Sequence, residues 1–407
     1  MFAPFMSAMK FKKYLLRRLL WAIGFYSLIM SIPVNSLQAQ DDLNMNAILG
    51  TVDSAGIFIQ EDYYLWCSSV IKGEDNKYHM LYSRWPHGKR ALDDDSMNYI
   101  FNGFRGWNKY SEIAYAVSDK LGGPYKFVKT ILKGDGDKNR WDRFTMHNPQ
   151  VRKFGDYYYL YYISNSYDSL LYGNANMAKD WKHWLQYNST QKIGVIKFKN
   201  FEDLVNGNYE RSLQPLVAPD NVNTFEVTTN PTVTKGPGGK YFMMFKSRKP
   251  NVGGMTFWMA VSDKPTGPFT LRSSVINTPD MACEDPCIWY DKKRKRFYAA
   301  AKYYSDSKVL APQFGALVLI TSEDGMHWVP AKHSLISLRE LHFTNGTIVP
   351  LSHLERPFVV TDKNGQPIAL FAAAAIEEPS KKIENISPAQ NTFNVYIPLT
   401  KPAKTKD

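Results

Sequence analysis

Cysteine is scarce in this sequence, with three in 407 residues. Three thiols cannot build a disulfide framework, so the fold depends on its hydrophobic core. The sequence also lacks the Cys/His spacing of a structural zinc site, a glycine-rich loop between a strand and a helix, and a Gly-x-Ser-x-Gly turn. These absences exclude zinc modules, phosphate-cradling nucleotide sites and the nucleophile elbow of serine hydrolases.

The chain is also mildly basic overall. The chain has 50 Lys and Arg against 38 Asp and Glu, and part of its +12 net charge comes from an acid-free segment at the start. No nucleic-acid partner is predicted. The remaining mild excess either favours an anionic ligand or is a solvated basic surface.

The first forty residues have the three parts of a secretory signal. Basic residues lie between Lys10 and Arg18, residues 19–34 are mostly apolar, and the small residue Ala39 follows. The apolar stretch is short compared with a membrane span of roughly 20 residues, although a retained anchor is the alternative. We predict a signal peptide at 1–40, a single catalytic domain at 41–400 and a disordered tail at 401–407. The mature protein would be periplasmic or secreted, with no membrane span after cleavage.

A fivefold repeat is the strongest pattern that the sequence does contain. A short polar motif is followed each time by an apolar strand, a turn and a second strand. The motifs are Trp66-Cys67-Ser68, His147-Asn148-Pro149, Thr229-Asn230-Pro231, Glu284-Asp285-Pro286 and Glu355-Arg356-Pro357. Further hairpins follow several of these pairs, with turns such as Gly123-Pro124 and Gly267-Pro268.

Two hairpins per repeat make a four-stranded sheet, and five such sheets arranged radially make a five-bladed β-propeller. We therefore predict an all-β fold of this type. Residues 392–399 alternate like a strand. They are predicted to complete a blade beside residues 57–59, which would hide open sheet edges.

The repeat also predicts a site, because the innermost strands of a propeller start around one funnel. The residues in front of the Pro position are Cys67, Asn148, Asn230, Asp285 and Arg356. The residues before those are Trp66, His147, Thr229, Glu284 and Glu355. Hydrolysis of a glycosidic bond needs one protonated and one ionised carboxyl group. Asp285, Glu284 and Glu355 are therefore the predicted catalytic residues, against the alternative that they only bond a turn or a surface lysine.

Other polar residues near the motifs are predicted to bind substrate. They are His147, Asn148, Asn230, Arg84, Trp85, Glu112 and Arg356. Arg84 could bind a sugar carboxylate or sulfate, and Trp85 could stack on a sugar ring. Packing, turn capping and core hydrogen bonding are the alternative roles. No metal-liganding set stands out, so no cofactor is predicted, although a funnel-bound cation such as calcium stays open.

These motifs resemble those of the five-bladed propeller glycoside hydrolases, above all families 43 and 117, which are related to families 32 and 62. The resemblance covers residues 55–400 and rests on the Asn/Asp-Pro blade starts and the Gly-Pro hairpins. Ser83-Arg84-Trp85-Pro86, Ser111-Glu112-Ile113 and His147-Asn148-Pro149 add to it. It implies hydrolysis of glycosidic bonds by acidic residues of the inner strands. Families 43 and 32 carry an Asp on the first inner strand, where this chain has Cys67.

The predicted function is an exported, exo-acting glycoside hydrolase that removes a terminal sugar from a poly- or oligosaccharide, which could be anionic. The resemblance favours inversion, with the carboxyl groups roughly 6.5–9.5 Å apart. A non-catalytic glycan-binding propeller and a glycan phosphorylase are the alternatives.

Overall fold

A computed structural model describes residues 42–87, 101, 103–167, 179–220, 222–248, 255–274, 278–376 and 390–400. The predicted signal peptide and the predicted tail lie outside these residues. In the described ranges, no helix has the length and apolar character needed to cross a membrane.

The described residues form five antiparallel sheets of four strands each, which we number as blades I to V. Blades I and II contain β2 (Tyr63–Lys72), β3 (Tyr78–Pro86), β4 (Glu112–Ser118), β5 (Lys126–Leu132), β6 (His147–Phe154), β7 (Tyr157–Ser164), β8 (Lys192–Phe198) and β9 (Glu210–Arg211). Blades III and IV contain β10 (Phe225–Lys235), β11 (Tyr241–Arg248), β12 (Met255–Ser262), β13 (Thr270–Ser274), β14 (Cys283–Asp291), β15 (Arg296–Tyr303), β16 (Leu317–Ser322) and β17 (Val329–Ser337). Blade V contains β20 (His353–Thr361), β21 (Pro367–Ile376), β22 (Gln390–Pro398) and β1 (Ile57–Phe58). The predicted propeller is confirmed.

Blade V is closed by both ends of the chain. Its fourth strand, β1, pairs with β22, with Ile57 opposite Val395 and Phe58 opposite Asn394. The predicted pairing of 392–399 with 57–59 is therefore confirmed. Because the N-terminal strand covers the edge of the last blade, that blade does not end in an open row of amide groups.

Helices and a further hairpin lie in the connections. Within the described part of the chain, the α-helices are Trp107–Tyr110, Lys179–Asn188 and Phe201–Asn206. The hairpin joins β18 (Glu340–His342) to β19 (Ile348–Pro350) between blades IV and V. The 3-10 turns are Asn46–Ile48, Ser54–Gly56, Phe104–Gly106, Pro237–Gly239 and Pro279–Met281. Trp107–Tyr110 and the turn before it lie between β3 and β4, so they extend the first blade toward the pocket.

The innermost strand of every blade has a β-bulge at the repeated motif. Cys67, Asn148, Asn230, Asp285 and Arg356 have φ between 53° and 61°, and the pairing register shifts at each of them. Asn and Asp tolerate this left-handed conformation, and the following Pro suits a bulge because it cannot donate to the sheet. A bulge re-aims the side chain, so five side chains turn toward the axis at the same level.

A second layer of axial side chains ties consecutive blades together. Ser69 Oγ accepts from the Val151 amide at 3.1 Å, and Gln150 Oε1 accepts from the Val233 amide at 2.6 Å. Thr232 and Cys287 accept from the next blades in the same way. Below this layer the Arg152 guanidinium packs 4.7 Å from the ring centre of Phe358. Side chains therefore line the axis beneath the motif layer and leave only a cavity of about 10 Å³ there.

Candidate active site

The five bulge residues form a hydrogen-bonded chain across the axis, which we call the axial ring. Cys67 Sγ donates to Asn148 Oδ1 at 2.8 Å, and the Asn148 amide donates to Asn230 Oδ1. Asn230 Nδ2 then donates to Asp285 Oδ1 at 2.6 Å. Arg356 Nη1 donates to the same oxygen at 3.1 Å. The ring fixes the order and direction of each side chain, which is the rigidity that a binding or catalytic site requires.

A pocket of about 170 Å³ opens above the axial ring. Its lining residues are Trp66, Trp85, Phe104, Trp107, His147, Asn148, Asn188, Gln191, Thr229, Asn230, Lys246, Met255, Glu284, Asp285, Glu355 and Arg356. The structure thus brings together all three predicted catalytic carboxylates. It also brings five of the seven predicted substrate-binding residues to the same cavity.

One ammonium group bridges two of the carboxylates. Lys302 Nζ lies 2.9 Å from Glu284 Oε1 and 2.5 Å from Glu355 Oε1. Lys246 Nζ holds the other oxygen of Glu284 at 2.6 Å, and His353 Nδ1 lies 2.9 Å from Glu355 Oε1. These ion pairs are partly buried, so the charges are compensated mainly within the protein rather than by water.

This network lowers the pKa of both glutamates. Burial pushes the pKa of Glu284 upward, but the ammonium groups of Lys246 and Lys302 outweigh it and hold that pKa below its ordinary value. Burial also pushes the pKa of Glu355 upward, but Lys302 and His353 outweigh it, so that pKa lies below its ordinary value. Both carboxyl groups are therefore ionised at neutral pH.

Asp285 is shifted in the opposite direction. Burial raises the pKa of its carboxyl group, Arg356 opposes this, and the negative charges of Glu284 and Glu355 raise it further. Its Oδ1 accepts both ring hydrogen bonds, and no described residue bonds to Oδ2. Asp285 thus has a free oxygen at the pocket and a pKa above that of its two acidic neighbours.

The opposite side of the pocket is aromatic. Trp66, Trp85, Phe104 and Trp107 contribute rings to it. The indole of Trp85 lies 5.2 Å from the Phe104 ring, and the Phe104 ring lies 5.0 Å from Trp66. Such a surface suits the apolar C–H faces of a sugar ring.

His147 belongs to this aromatic side. Its ring stacks on Trp107 at 4.8 Å, and its Nδ1 lies 2.8 Å from Ser111 Oγ. Burial, with the positive charge of Arg356 added, lowers the pKa of His147 well below its ordinary value. The imidazole is therefore neutral at physiological pH.

Two predicted substrate-binding residues lie outside the pocket, and that interpretation is corrected. Arg84 Nε contacts Glu112 Oε1 at 2.8 Å in a buried ion pair. The guanidinium also donates to Thr130 Oγ1 and packs 4.2 Å from the Tyr63 ring centre. Since side chains alternate along a strand, Trp85 points into the pocket while its neighbour Arg84 points away from it. Arg84 is thus committed to Glu112 rather than to a sugar carboxylate or sulfate.

Sequence reasoning missed the two lysines and two of the aromatic residues. Lys246 pairs with Thr229 across β10 and β11, and Lys302 pairs with Glu284 across β14 and β15. A lysine inside an otherwise apolar strand, opposite a funnel motif, was the available signal. Phe104 and Trp107 come from the irregular connection between β3 and β4, which has no repeat to mark it.

Metal binding has little geometric support in the described part of the chain. No group of three or more His, Cys, Asp or Glu side chains there is arranged to hold a metal ion. Lysine ammonium groups already occupy the positions beside Glu284 and Glu355.

Comparison with known proteins identifies relatives by fold only. No protein-family model matches the sequence, and no curated protein matches it either. A family 117 glycoside hydrolase from the marine bacterium Zobellia galactanivorans aligns with TM-score 0.55 and 14% identity, covering 86% of this chain and 91% of that one. An α-L-arabinofuranosidase from Podospora anserina, in complex with cellotriose, aligns with TM-score 0.54 and 9% identity. The alignment covers 89% of this chain and 99% of that one. An α-L-arabinofuranosidase from Lactobacillus brevis aligns with TM-score 0.52 and 10% identity. The alignment covers 85% of this chain and 92% of that one. The resemblance to propeller glycoside hydrolases is confirmed for the fold over nearly the whole chain.

Proposed function

We propose that this chain is an exported glycoside hydrolase that removes a terminal sugar from a glycan with inversion of configuration. The observation that carries the proposal is the opposite direction of the pKa shifts among the three carboxyl groups that line the pocket. The pKa of Asp285 is raised, while the pKa values of Glu284 and Glu355 are lowered. Two carboxyl groups in opposite ionisation states are what an acid–base hydrolysis needs.

Asp285 is the proton donor in this proposal. Its Oδ1 is occupied by Asn230 and Arg356, so a proton would reside on Oδ2, which faces the pocket. Because Asp285 lines the pocket, that proton can pass to the glycosidic oxygen as the bond to the anomeric carbon breaks. The leaving sugar departs as a neutral alcohol.

Glu355 is the base. Its Oε1 contacts Lys302 and His353, and Oε2 has no bond to a described residue. Oε2 is therefore available to take a proton from the water that attacks the anomeric carbon on the opposite face. Proton transfer from water to Glu355 and from Asp285 to the leaving group balances the reaction.

Glu284 has a positioning role. Both of its oxygens are held by lysines, through Lys246 at 2.6 Å and Lys302 at 2.9 Å. Glu284 and Glu355 contact the same nitrogen, so those two oxygens are closer together than the roughly 6.5 Å minimum for an inverting pair. No attacking water fits between them, which favours Asp285 and Glu355 as the pair.

Exo action is supported by the form of the site. The axial ring and the side chains beneath it close the pocket at its floor, and aromatic rings form one side. A pocket of about 170 Å³ above such a floor favours one terminal sugar over several consecutive units of a chain.

A glycan-binding propeller without catalysis is the second candidate, and one observation favours it. The axial ring has no carboxylate on blades I to III, where it presents Cys67, Asn148 and Asn230. Burial raises the pKa of the Cys67 thiol, so the thiol is protonated and cannot replace an acidic residue as base.

The test is product analysis on a panel of neutral and anionic oligosaccharides. Protein expressed from the full chain is compared with Asp285→Asn, Glu355→Gln and the exposed control Asp263→Asn. We expect one monosaccharide to be released by the wild type and the control, with a loss of about 1000-fold or more in the two site variants. Glycan binding without release would establish the second candidate. A sugar phosphate formed only with added phosphate would identify a phosphorylase.

Export is proposed from the first forty residues alone. Expression of the full chain in a Gram-negative host, followed by N-terminal sequencing of the periplasmic protein, tests it. A new N-terminus near residue 41 is expected. An intact N-terminus in the membrane fraction would indicate a retained anchor instead.

A further inference from the structure

We propose that Tyr304 and Phe314 form a stacking platform at the mouth of the pocket for the second sugar of the glycan. This inference rests on the pocket being a glycan site, as proposed above. The platform would bind the sugar on the leaving-group side, adjoining the unit that occupies the pocket. The ligand class is thus an oligosaccharide of at least two units rather than a monosaccharide.

The location follows from the register of blade IV. Glu284 pairs with Lys302 and Cys283 pairs with Tyr303 across β14 and β15. Tyr304 is therefore the first residue beyond the strand at its pocket end. The Lys302 Nζ that binds the pocket carboxylates lies 5.4 Å from the Tyr304 ring centre. The platform is continuous with the charged side of the pocket through this one side chain.

The opposite edge of the mouth is close to the same ring. Burial lowers the pKa of Arg105, and the Tyr304 hydroxyl lies near enough to oppose this shift when the phenol ionises. Arg105 belongs to the 3-10 turn Phe104–Gly106, whose first residue lines the pocket. Tyr304 thus faces the segment that supplies the aromatic side of the pocket.

Both platform rings are open to solvent and near each other. Tyr304 is 52% exposed and Phe314 is 39% exposed. Their ring centres are 5.1 Å apart, with an interplanar angle of 52°. Two tilted rings present a shallow concave apolar surface that can take the C–H face of one sugar.

A buried anchor holds the loop that carries these rings. The Tyr303 hydroxyl, which is fully buried, donates to Asp280 O at 2.7 Å and accepts from the Val309 amide at 3.1 Å. The Gly315 amide donates to Tyr303 O at 2.9 Å, just after Phe314. Rings fixed in this way lose little entropy when a ligand stacks on them.

Size and position favour a sugar over a protein partner. A stable protein interface buries about 800 Å² on each partner, and two half-exposed rings are far smaller than that. One sugar ring is matched to two aromatic rings in area. A sugar bound in the pocket would also hold the next unit of the same glycan at this edge.

Calorimetric binding of arabino- and cello-oligosaccharides of one to six units tests the platform. The full chain carries Asp285→Asn so that the probes are not consumed, with or without Tyr304→Ala, Tyr304→Phe or Phe314→Ala. Affinity for at least one series is expected to rise from one unit to two. Tyr304→Ala should reduce the gain in affinity from one unit to two by a factor of about five to ten, whereas Tyr304→Phe should retain the gain. Tyr157→Ala, which removes another exposed tyrosine (38% against 52% for Tyr304) at the far end of β7, is the control.

Three binding results would overturn the platform. They are an absence of binding to both series, an affinity independent of length, or a rise that Tyr304→Ala leaves unchanged. A change of molecular mass in solution for Tyr304→Ala would assign the rings to contact with a second copy of the chain and also overturn it. Failure of hydrolysis by the wild type, with the length dependence and its loss in Tyr304→Ala intact, would refute the proposed function alone.

Discussion

The two sides of the pocket are built on opposite principles. The side from blades III to V has carboxylates and cations in close contact, including Glu284 with Lys246 and Asp285 with Arg356. The side from blades I and II carries aromatic rings and the neutral imidazole of His147. One side can transfer protons and the other can bind a sugar face. Under the proposed function, catalysis and sugar binding are therefore divided between different blades.

The charged side also shows how a buried acidic cluster becomes tolerable. Burying an ionised carboxylate is costly unless a cation and hydrogen bonds compensate it. Lys302 compensates Glu284 and Glu355 at once, while the aromatic side requires no such partner. Substitutions on the charged side should therefore affect turnover and folding together. Substitutions on the aromatic side should affect affinity alone.

Lys302→Met would break the charged side most severely. Removing the shared cation leaves Glu284 and Glu355 in mutual repulsion, so we expect turnover to fall about 100-fold or more. The free energy of unfolding should fall by about 3 kcal/mol at neutral pH. Steady-state kinetics and urea titration measure the two effects. Lys240→Met, which removes an exposed pair with Asp263, is the control and should alter neither much.

The pH dependence of this loss has a definite sign. In the wild type the folded pKa of Glu355 is lowered, so its contribution to stability is present above the unfolded pKa and is lost as pH falls through the folded pKa. Without Lys302 the shift reverses, and protonation relieves the repulsion. The variant should regain stability relative to the wild type as the pH falls. A destabilisation that is constant with pH would show that Lys302 acts by packing and not by charge.

Much of this architecture was predictable because equivalent positions of a sequence repeat occupy equivalent positions in the fold. The motif positions of Asn148, Asn230 and Asp285 predicted a common level at the axis, and the bulges at these residues explain why. The network of Lys246 and Lys302 was not predicted. Partner choice depends on cross-strand register, which a single sequence does not reveal.

A second comparison lies within the charged side, between Glu355 and Glu284. Glu355→Gln should reduce turnover about 1000-fold and remove the acidic limb of the pH–rate profile, since the base is lost. Glu284→Gln should reduce turnover by about tenfold and leave that limb in place, because it only positions the lysines. In the wild type, the alkaline limb should follow the raised pKa of Asp285. Equal profiles for both variants would contradict the assignment of the base.

The aromatic side is tested by Trp107→Ala. Losing the ring that stacks on His147 should weaken glycan affinity about tenfold and change the turnover number by less than about threefold. KM and kcat, measured separately, distinguish the two effects. Trp289→Ala, a buried tryptophan away from the pocket, serves as the comparison and should act on stability only. A fall in kcat equal to the rise in KM would mean that this side also takes part in catalysis.

The smallest effect on turnover is expected from Arg84→Met, which tests where the site ends. The sequence pattern placed Arg84 and Glu112 beside the substrate. Arg84 follows an aromatic stretch, and Glu112 opens the next strand. Because side chains alternate along a strand, only one of two neighbouring residues points into the pocket. Here that residue is Trp85. Arg84→Met should leave kcat/KM within about twofold and lower the free energy of unfolding by about 3 kcal/mol, since Glu112 is left unpaired. The double variant Arg84→Met/Glu112→Gln should recover part of that loss. A drop in kcat/KM in the double variant would instead extend the substrate site to this side of blade I.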